Sequence, residues 1–173
     1  PPPAKSTSLW LALKGHWPCS AEPHRTTMAS NHPLIESRQQ EVIDDFSVFD
    51  DWMDKYEHLI DLGKDVPVID DARKTEEHLI KGCQSRVWLA ADVADNGGVI
   101  FTADSDAIIT KGLVGLMVRV LSNAPAQAIA EANLHFLDAI GLHQHLSPTR
   151  SNGLASMVQQ MRLYAAALAA RQS

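Results

Sequence analysis

Ser85-Arg86-Val87-Trp88-Leu89-Ala90-Ala91-Asp92-Val93-Ala94-Asp95-Asn96-Gly97-Gly98-Val99-Ile100-Phe101-Thr102 reads as a β-hairpin. Val87, Leu89 and Ala91 alternate onto one face and Trp88 onto the other, the period-two pattern of a strand with one buried side. Asn96-Gly97-Gly98 supplies the residues that accept positive φ in a tight hairpin turn. The strands are expected over Ser85–Val93 and Val99–Thr102. Glu76–Ile80 is expected to add a short strand before them, which makes a three-stranded antiparallel meander.

Outward from the hairpin the pattern turns helical. Asp104-Ser105-Asp106 offers N-cap choices for a helix over Ala107–Leu121. That run is so apolar that it predicts a mostly buried helix across the sheet. Gly112 and Gly115 lower its helix propensity by about 1 kcal/mol each against Ala, and close packing is the reason to tolerate them. Ser122–Pro125 ends this helix. Short helices are expected over Ala126–Ile129 and Asn133–Ile140, the second closed by Gly141. A polar connector, Leu142–Thr149, leads to a last helix over Ser151–Ala170 with a stripe of Leu154, Met157, Val158, Met161, Tyr164 and Leu168. On the other side of the hairpin, Pro33–Phe46 buries Leu34, Ile35, Val42, Ile43 and Phe46, with Gln39 and the charged residues opposite. Asp50 or Asp51 caps a second helix carrying Trp52, Met53, Tyr56, Leu59, Ile60 and Leu62, with Gly63 as its C-cap. Trp52 and Tyr56 are expected in the core. Lys64–Thr75 is a charged, solvated loop. The class is α+β, with helices on one face of a small antiparallel sheet.

The 173 residues suit one domain with its own core. Residues 1–27 open on three prolines and lack periodicity. They are expected to be a non-native or disordered N-terminal extension before a domain of residues 28–173, a transit peptide being the alternative. Setting aside the three cations and one anion of residues 1–27 takes the net charge from −6 to −8. So acidic a domain argues against nucleic acid and anionic membranes as partners. No apolar run is long enough to span a bilayer. The two cysteines, Cys19 and Cys83, support neither a four-cysteine metal site nor a disulfide framework. No metal is expected. A reducing compartment follows: the bacterial cytoplasm, or an organelle if residues 1–27 are a transit peptide.

Cys83 sits in Ile80-Lys81-Gly82-Cys83-Gln84-Ser85-Arg86, after a glycine and between two cations. Only a thiolate is nucleophilic, and Lys81 and Arg86 would raise its fraction if their heads face the sulfur. Gly82 allows a tight turn. One thiolate suffices for attack on sulfane sulfur, whereas acyl hydrolysis wants a base and an oxyanion hole. Dithiol exchange would want a Cys-x-x-Cys pair. His78 or His145 as a base for a Cys-dependent hydrolase, and His143 with His145 as metal ligands, are weak signals. Composition and spacing leave a structural and a reactive Cys83 both open.

Gly82-Cys83-Gln84-Ser85-Arg86-Val87-Trp88 resembles the SufE family of sulfur acceptors. Leu59–Gly63, Ala103–Ala107 running into Ile109–Leu113, and Leu146–Leu154 agree with it in order, so the resemblance spans roughly Leu34 to Ala170. It implies an α+β fold similar to iron–sulfur scaffold proteins of the IscU type. It implies that Cys83 takes persulfide sulfur from a PLP-dependent cysteine desulfurase, stimulates it, and passes sulfur to an iron–sulfur cluster scaffold. The protein would then be an accessory with a reactive cysteine, not an enzyme. The PLP belongs to the partner and no cofactor to this chain. Family members can shelter the thiol in an apolar pocket until the partner draws the loop out. Arg150 matches a recurrent arginine, read either as a partner or loop contact or as a helix-start ion pair. Gly82, Gln84, Arg86 and Asp106 join it as residues that bind the partner or support the loop, Asp106 also reading as a helix cap. A non-catalytic module that only binds the desulfurase is the alternative.

Overall fold

The computed structural model describes residues 31–172. The expectation for residues 1–27 lies outside the described residues. The hairpin forms where the alternation placed it. Strand β1 (Val87–Val93) pairs antiparallel with β2 (Gly98–Ser105), from Val87 opposite Ser105 to Val93 opposite Val99. Gly97 turns between them at φ +81°, a conformation that costs glycine little.

The third strand is not Glu76–Ile80 but β3 (Ala124–Pro125), which pairs antiparallel with Gly98 and Val99. Asn123, at φ 61°, turns the chain into it; Asn tolerates this region better than most residues. Glu76–His78 instead form a turn, and only Leu79 bridges to Trp88. Two bonds make that bridge, Ile80 N–H to Val87 O at 2.8 Å and Leu89 N–H to His78 O at 2.9 Å. They hold the start of the cysteine loop against β1.

Helix α1 (Pro33–Ser47) buries Ile35, Gln39, Val42 and Phe46. Gln39 is therefore a correction to the polar-face expectation. It lies four residues after Ile35, on the buried stripe, and its amide is used there. Its Nε2 donates to Asn133 O at 3.1 Å, and its Oε1 accepts from Phe136 N at 3.3 Å. Helix α2 (Trp52–Lys64) is capped by Asp51, whose carboxylate accepts from Met53 N at 3.2 Å. Trp52 and Tyr56 are only half-buried, and Trp52 stacks on His145 with ring centroids 3.8 Å apart.

Gly63 lies inside α2, whose C-cap is Asp65. Its role is contact with α3 (Ile108–Leu121), the central helix, which packs across β2. A Cβ on Gly63 would stand 2.8 Å from Gly112 N, and one on Gly115 would stand 2.9 Å from Leu62 O. Backbone meets backbone at this crossing, so only glycine fits.

The C-terminal half holds α4 (Ala126–Glu131), α5 (Phe136–Ala139), α6 (Leu142–His145) and α7 (Pro148–Gln172). The expected helix over Asn133–Ile140 shrinks to the four residues of α5. The expected polar connector contains α6 and buries Leu142 and Leu146. Pro148 opens α7 three residues earlier than expected, as proline suits a first turn. Helix α7 touches α3, α4 and β1, and Tyr164 donates to Leu89 O at 3.3 Å.

The loop before the hairpin is tied down by charge. Lys74 bonds Asp71 at 2.7 Å and Asp104 at 2.8 Å, and Lys111 bonds Asp104 at 2.9 Å. Burial pushes Asp104 up, but hydrogen bonds from Lys74, Lys111 and Ser105 N–H outweigh it and hold the carboxyl at about 2. Its folded pKa lies below the ordinary 3.8, so the stabilisation is present above that value and is lost as pH falls toward 2. With solvent screening it is worth about 1 kcal/mol. Asp104→Asn should lower the melting temperature at pH 6, and the gap to the parent should close near pH 2.

A half-buried thiol over a cavity

The cysteine loop leaves the Leu79 bridge, turns at Lys81–Gly82 and re-enters the sheet at Val87. Gly82 has φ +93°, and a Cβ there would come 2.7 Å from Ser156 Oγ on α7. The backbone region favours glycine, and a Cβ would also displace the Ser156 hydroxyl. The turn sets Cys83, half-buried, on the wall of a cavity of about 400 Å³. Ile109, Leu113 and Met157 give the cavity its apolar walls, and Gln84, Asp106 and Arg150 line it too.

The thiol donates to Gly153 O at 3.5 Å. Gly153 packs directly against it, and a Cβ there would stand 3.4 Å from Sγ, an ordinary contact distance. Burial pushes the Cys83 thiol up. The expectation that Lys81 and Arg86 favour the thiolate is thus corrected by the geometry. Lys81 lines a separate groove with Glu76 and Glu77, and Arg86 does not line the cavity. Neither cation lines the cavity of the thiol, so desolvation decides, and it favours the neutral thiol.

Asp106 holds the loop rather than capping a helix. Helix α3 has Ala107 as its N-cap and no side-chain cap bond. Asp106 Oδ1 accepts from Arg86 N at 3.0 Å, and Asp106 N donates to Arg86 O at 3.2 Å. Thr110 Oγ1 donates to Ser85 Oγ at 3.3 Å. The two Asp106–Arg86 bonds therefore fasten the chain just after Cys83. Asp106→Ala removes one of these bonds, worth about 1 kcal/mol. Alkylation of Cys83 by iodoacetamide should speed up about fivefold in that variant, with the circular dichroism spectrum unchanged.

Four of the six residues singled out from sequence (Cys83, Gln84, Asp106 and Arg150) line the cavity, while Gly82 and Arg86 do not. The Arg150 guanidinium has no ion pair or side-chain hydrogen bond among the described residues, so the helix-start ion pair is not formed. Ser85, Thr110 and Gly153 also line the cavity and were not singled out. Gly153 and Thr110 lie inside the quoted motifs, but nothing in linear order ties them to Cys83. Neither His78 nor His145 lines the cavity: His78 faces Thr75 at 3.3 Å, and His145 stacks on Trp52.

The fold and site define an α+β protein that presents one thiol on a glycine turn over a sheltered cavity. A family model for SufE, an Fe-S metabolism associated domain, matches residues 40–165. An uncharacterized SufE-like protein of Rhizobium etli is 38% identical over 139 residues, covering 78% of this chain and 94% of that protein. One from Rhizobium meliloti is 37% identical over 126 residues, covering 70% and 90%. SufE-like protein 1, chloroplastic/mitochondrial, of Arabidopsis thaliana is 35% identical over 147 residues; these are 84% of this chain but 40% of that longer protein. The solution structure of a hypothetical protein from Thermus thermophilus shares the fold, with TM-score 0.63 and 20% identity over 76% of this chain and 95% of that one. The chain belongs to the SufE family, and its role lies in iron–sulfur metabolism.

Proposed function

We propose that Cys83 is a sulfur carrier: it takes sulfane sulfur from the persulfide of a cysteine desulfurase, speeds that enzyme's turnover, and hands the sulfur to an iron–sulfur cluster scaffold. Attack of the Cys83 thiolate on the outer sulfur forms a new S–S bond and breaks the donor's. The donor cysteine leaves as a thiolate and takes a proton, while Cys83 has given one up. The sulfane sulfur moves without net oxidation or reduction. Such exchange at sulfur needs no oxyanion hole, which suits a thiol whose cavity is lined by no histidine among the described residues.

The carrying observation is the placement of a single thiol on a Gly82 turn, bonded to Gly153 O and facing a cavity. A neutral, half-buried thiol is a poor nucleophile. The partner is therefore proposed to draw the loop outward, where water restores the ordinary thiolate fraction. The desulfurase brings its own PLP, and this chain acts as an accessory rather than an enzyme. A reducing compartment, the bacterial cytoplasm, suits a carrier of this kind.

The test is mass spectrometry of the full chain after incubation with a cysteine desulfurase and L-cysteine. A gain of one sulfur atom on the Cys83 peptide is expected. Binding and stimulation without that gain would instead make the protein a non-catalytic desulfurase-binding module.

A further inference from the structure

Among the described residues the buried polar side chains are Gln39 and Thr110. Gln39 spends its amide on Asn133 O and Phe136 N. Thr110, 8% exposed, has one side-chain hydrogen bond, to Ser85 Oγ. Both residues line the cavity that holds Cys83. Ser85 Oγ accepts from Thr110, and among the described residues it donates no hydrogen bond, so its own proton is available.

A persulfide changes what this cavity must satisfy. The neutral thiol gives its proton to Gly153 O. A persulfide is a stronger acid than a thiol, and its anion has no proton for that carbonyl. The oxygen repels it, so the outer sulfur must turn toward donors elsewhere on the wall. Asp106 cannot serve, being an anion whose Oδ1 is already bonded to Arg86 N. Ser85 offers a free proton on the side of α3, whose first turn has no side-chain cap. Arg150, which has no ion pair among the described residues, adds a positive charge to the lining.

We infer that Ser85 donates a hydrogen bond to the outer sulfur of the retracted Cys83 persulfide, and that Thr110 is the positioning residue that aims it. The inference rests on Cys83 carrying a persulfide. The bond is made only to the loaded form, so it prolongs the life of the carried sulfur without changing the empty thiol. A hydrogen bond to an anion in a sheltered site is worth roughly a factor of ten or more.

The rival is mechanical: the same pair could simply fasten the loop. Two rates separate them, measured on the full chain in a Cys19→Ser background. Inorganic polysulfide loads Cys83, so the result stands apart from whether any desulfurase does so. The first rate is removal of the outer sulfur by cyanide. The second is alkylation of the unloaded thiol by iodoacetamide, which reports loop opening. Ser85→Ala and Thr110→Val should each speed sulfur removal about tenfold and leave alkylation within about twofold of the parent. Thr110→Ser should restore the slow removal. Should Thr110→Val fail to fold, Ser85→Ala and Thr110→Ser give the same comparison. Equal removal rates in parent and variants, both rates rising together, or no rescue by Thr110→Ser would each overturn the inference. Failure of desulfurase loading, with polysulfide-loaded protein behaving as expected, would count against the proposed sulfur source alone.

Discussion

Cys83→Ser is expected to abolish sulfur uptake and desulfurase stimulation while the fold persists. The serine hydroxyl is nearly the size of the thiol and can donate to Gly153 O as the thiol does at 3.5 Å. Little packing is lost, and the change in stability should stay within about 1 kcal/mol. The chemistry is lost altogether. A hydroxyl is not appreciably ionised near neutral pH, and it forms no persulfide. Desulfurase turnover with saturating L-cysteine, with the parent or the variant added, measures this directly. Stimulation by Cys83→Ser equal to the parent's would mean that binding alone activates the enzyme, and the carrier function would be abandoned. The parent thiol, pushed up by burial, should also react with iodoacetamide more slowly at pH 7.5 than an unfolded peptide containing the same loop. Partner binding should erase that lag.

Gly112→Ala is expected to be the most damaging substitution outside the site. Its new Cβ would run into the carbonyl oxygen of Leu59, and its neighbours would include Leu59 C at 2.9 Å. These are backbone atoms of a packed helix and cannot rotate aside. The ordinary gain of about 1 kcal/mol from replacing a helical glycine by alanine is outweighed by the forced separation of α2 and α3. A net loss of about 3 kcal/mol is expected, which for a chain of this length lowers the melting temperature by about 10 °C. Thermal unfolding followed by circular dichroism checks it. The consequence reaches the site, because the first turn of α3 carries Thr110 and lines the thiol cavity. A melting temperature equal to the parent's would show that the helices can separate at no cost.

Much of the fold was legible because its signals are local. Alternation at Val87, Leu89 and Ala91 fixes the strand, Asn96-Gly97-Gly98 fixes the turn, and the apolar run after Ala107 marks the central helix. The misreadings lie where a distant partner decides. Glu76–Ile80 has strand-like residues, but only Leu79 meets the sheet edge. Ala124–Pro125 carries no strand signal of its own and becomes one because Asn123 turns it onto Gly98 and Val99. Gly63 has the look of a helix end, yet it serves a helix crossing that only Gly112 explains.

The site divides in the same way. Its thiol, its glycine turn and its family are readable from Gly82-Cys83-Gln84-Ser85-Arg86 and the motifs that follow in order. The state of that thiol is not. Two flanking cations suggest an activated cysteine, but in the folded chain neither Lys81 nor Arg86 lines its cavity, and the sulfur is half-buried. Sequence by itself therefore singled out the atom proposed to carry the chemistry. Tertiary structure alone decided that burial disfavours the thiolate beside Gly153 O, that Asp106 fastens the loop at Arg86, and that Ser85 and Thr110 share its cavity. The physical reason is range: torsional preference and periodicity act over a few residues, whereas desolvation and hydrogen bonding depend on groups that the chain brings together from far apart, 70 residues in the case of Cys83 and Gly153.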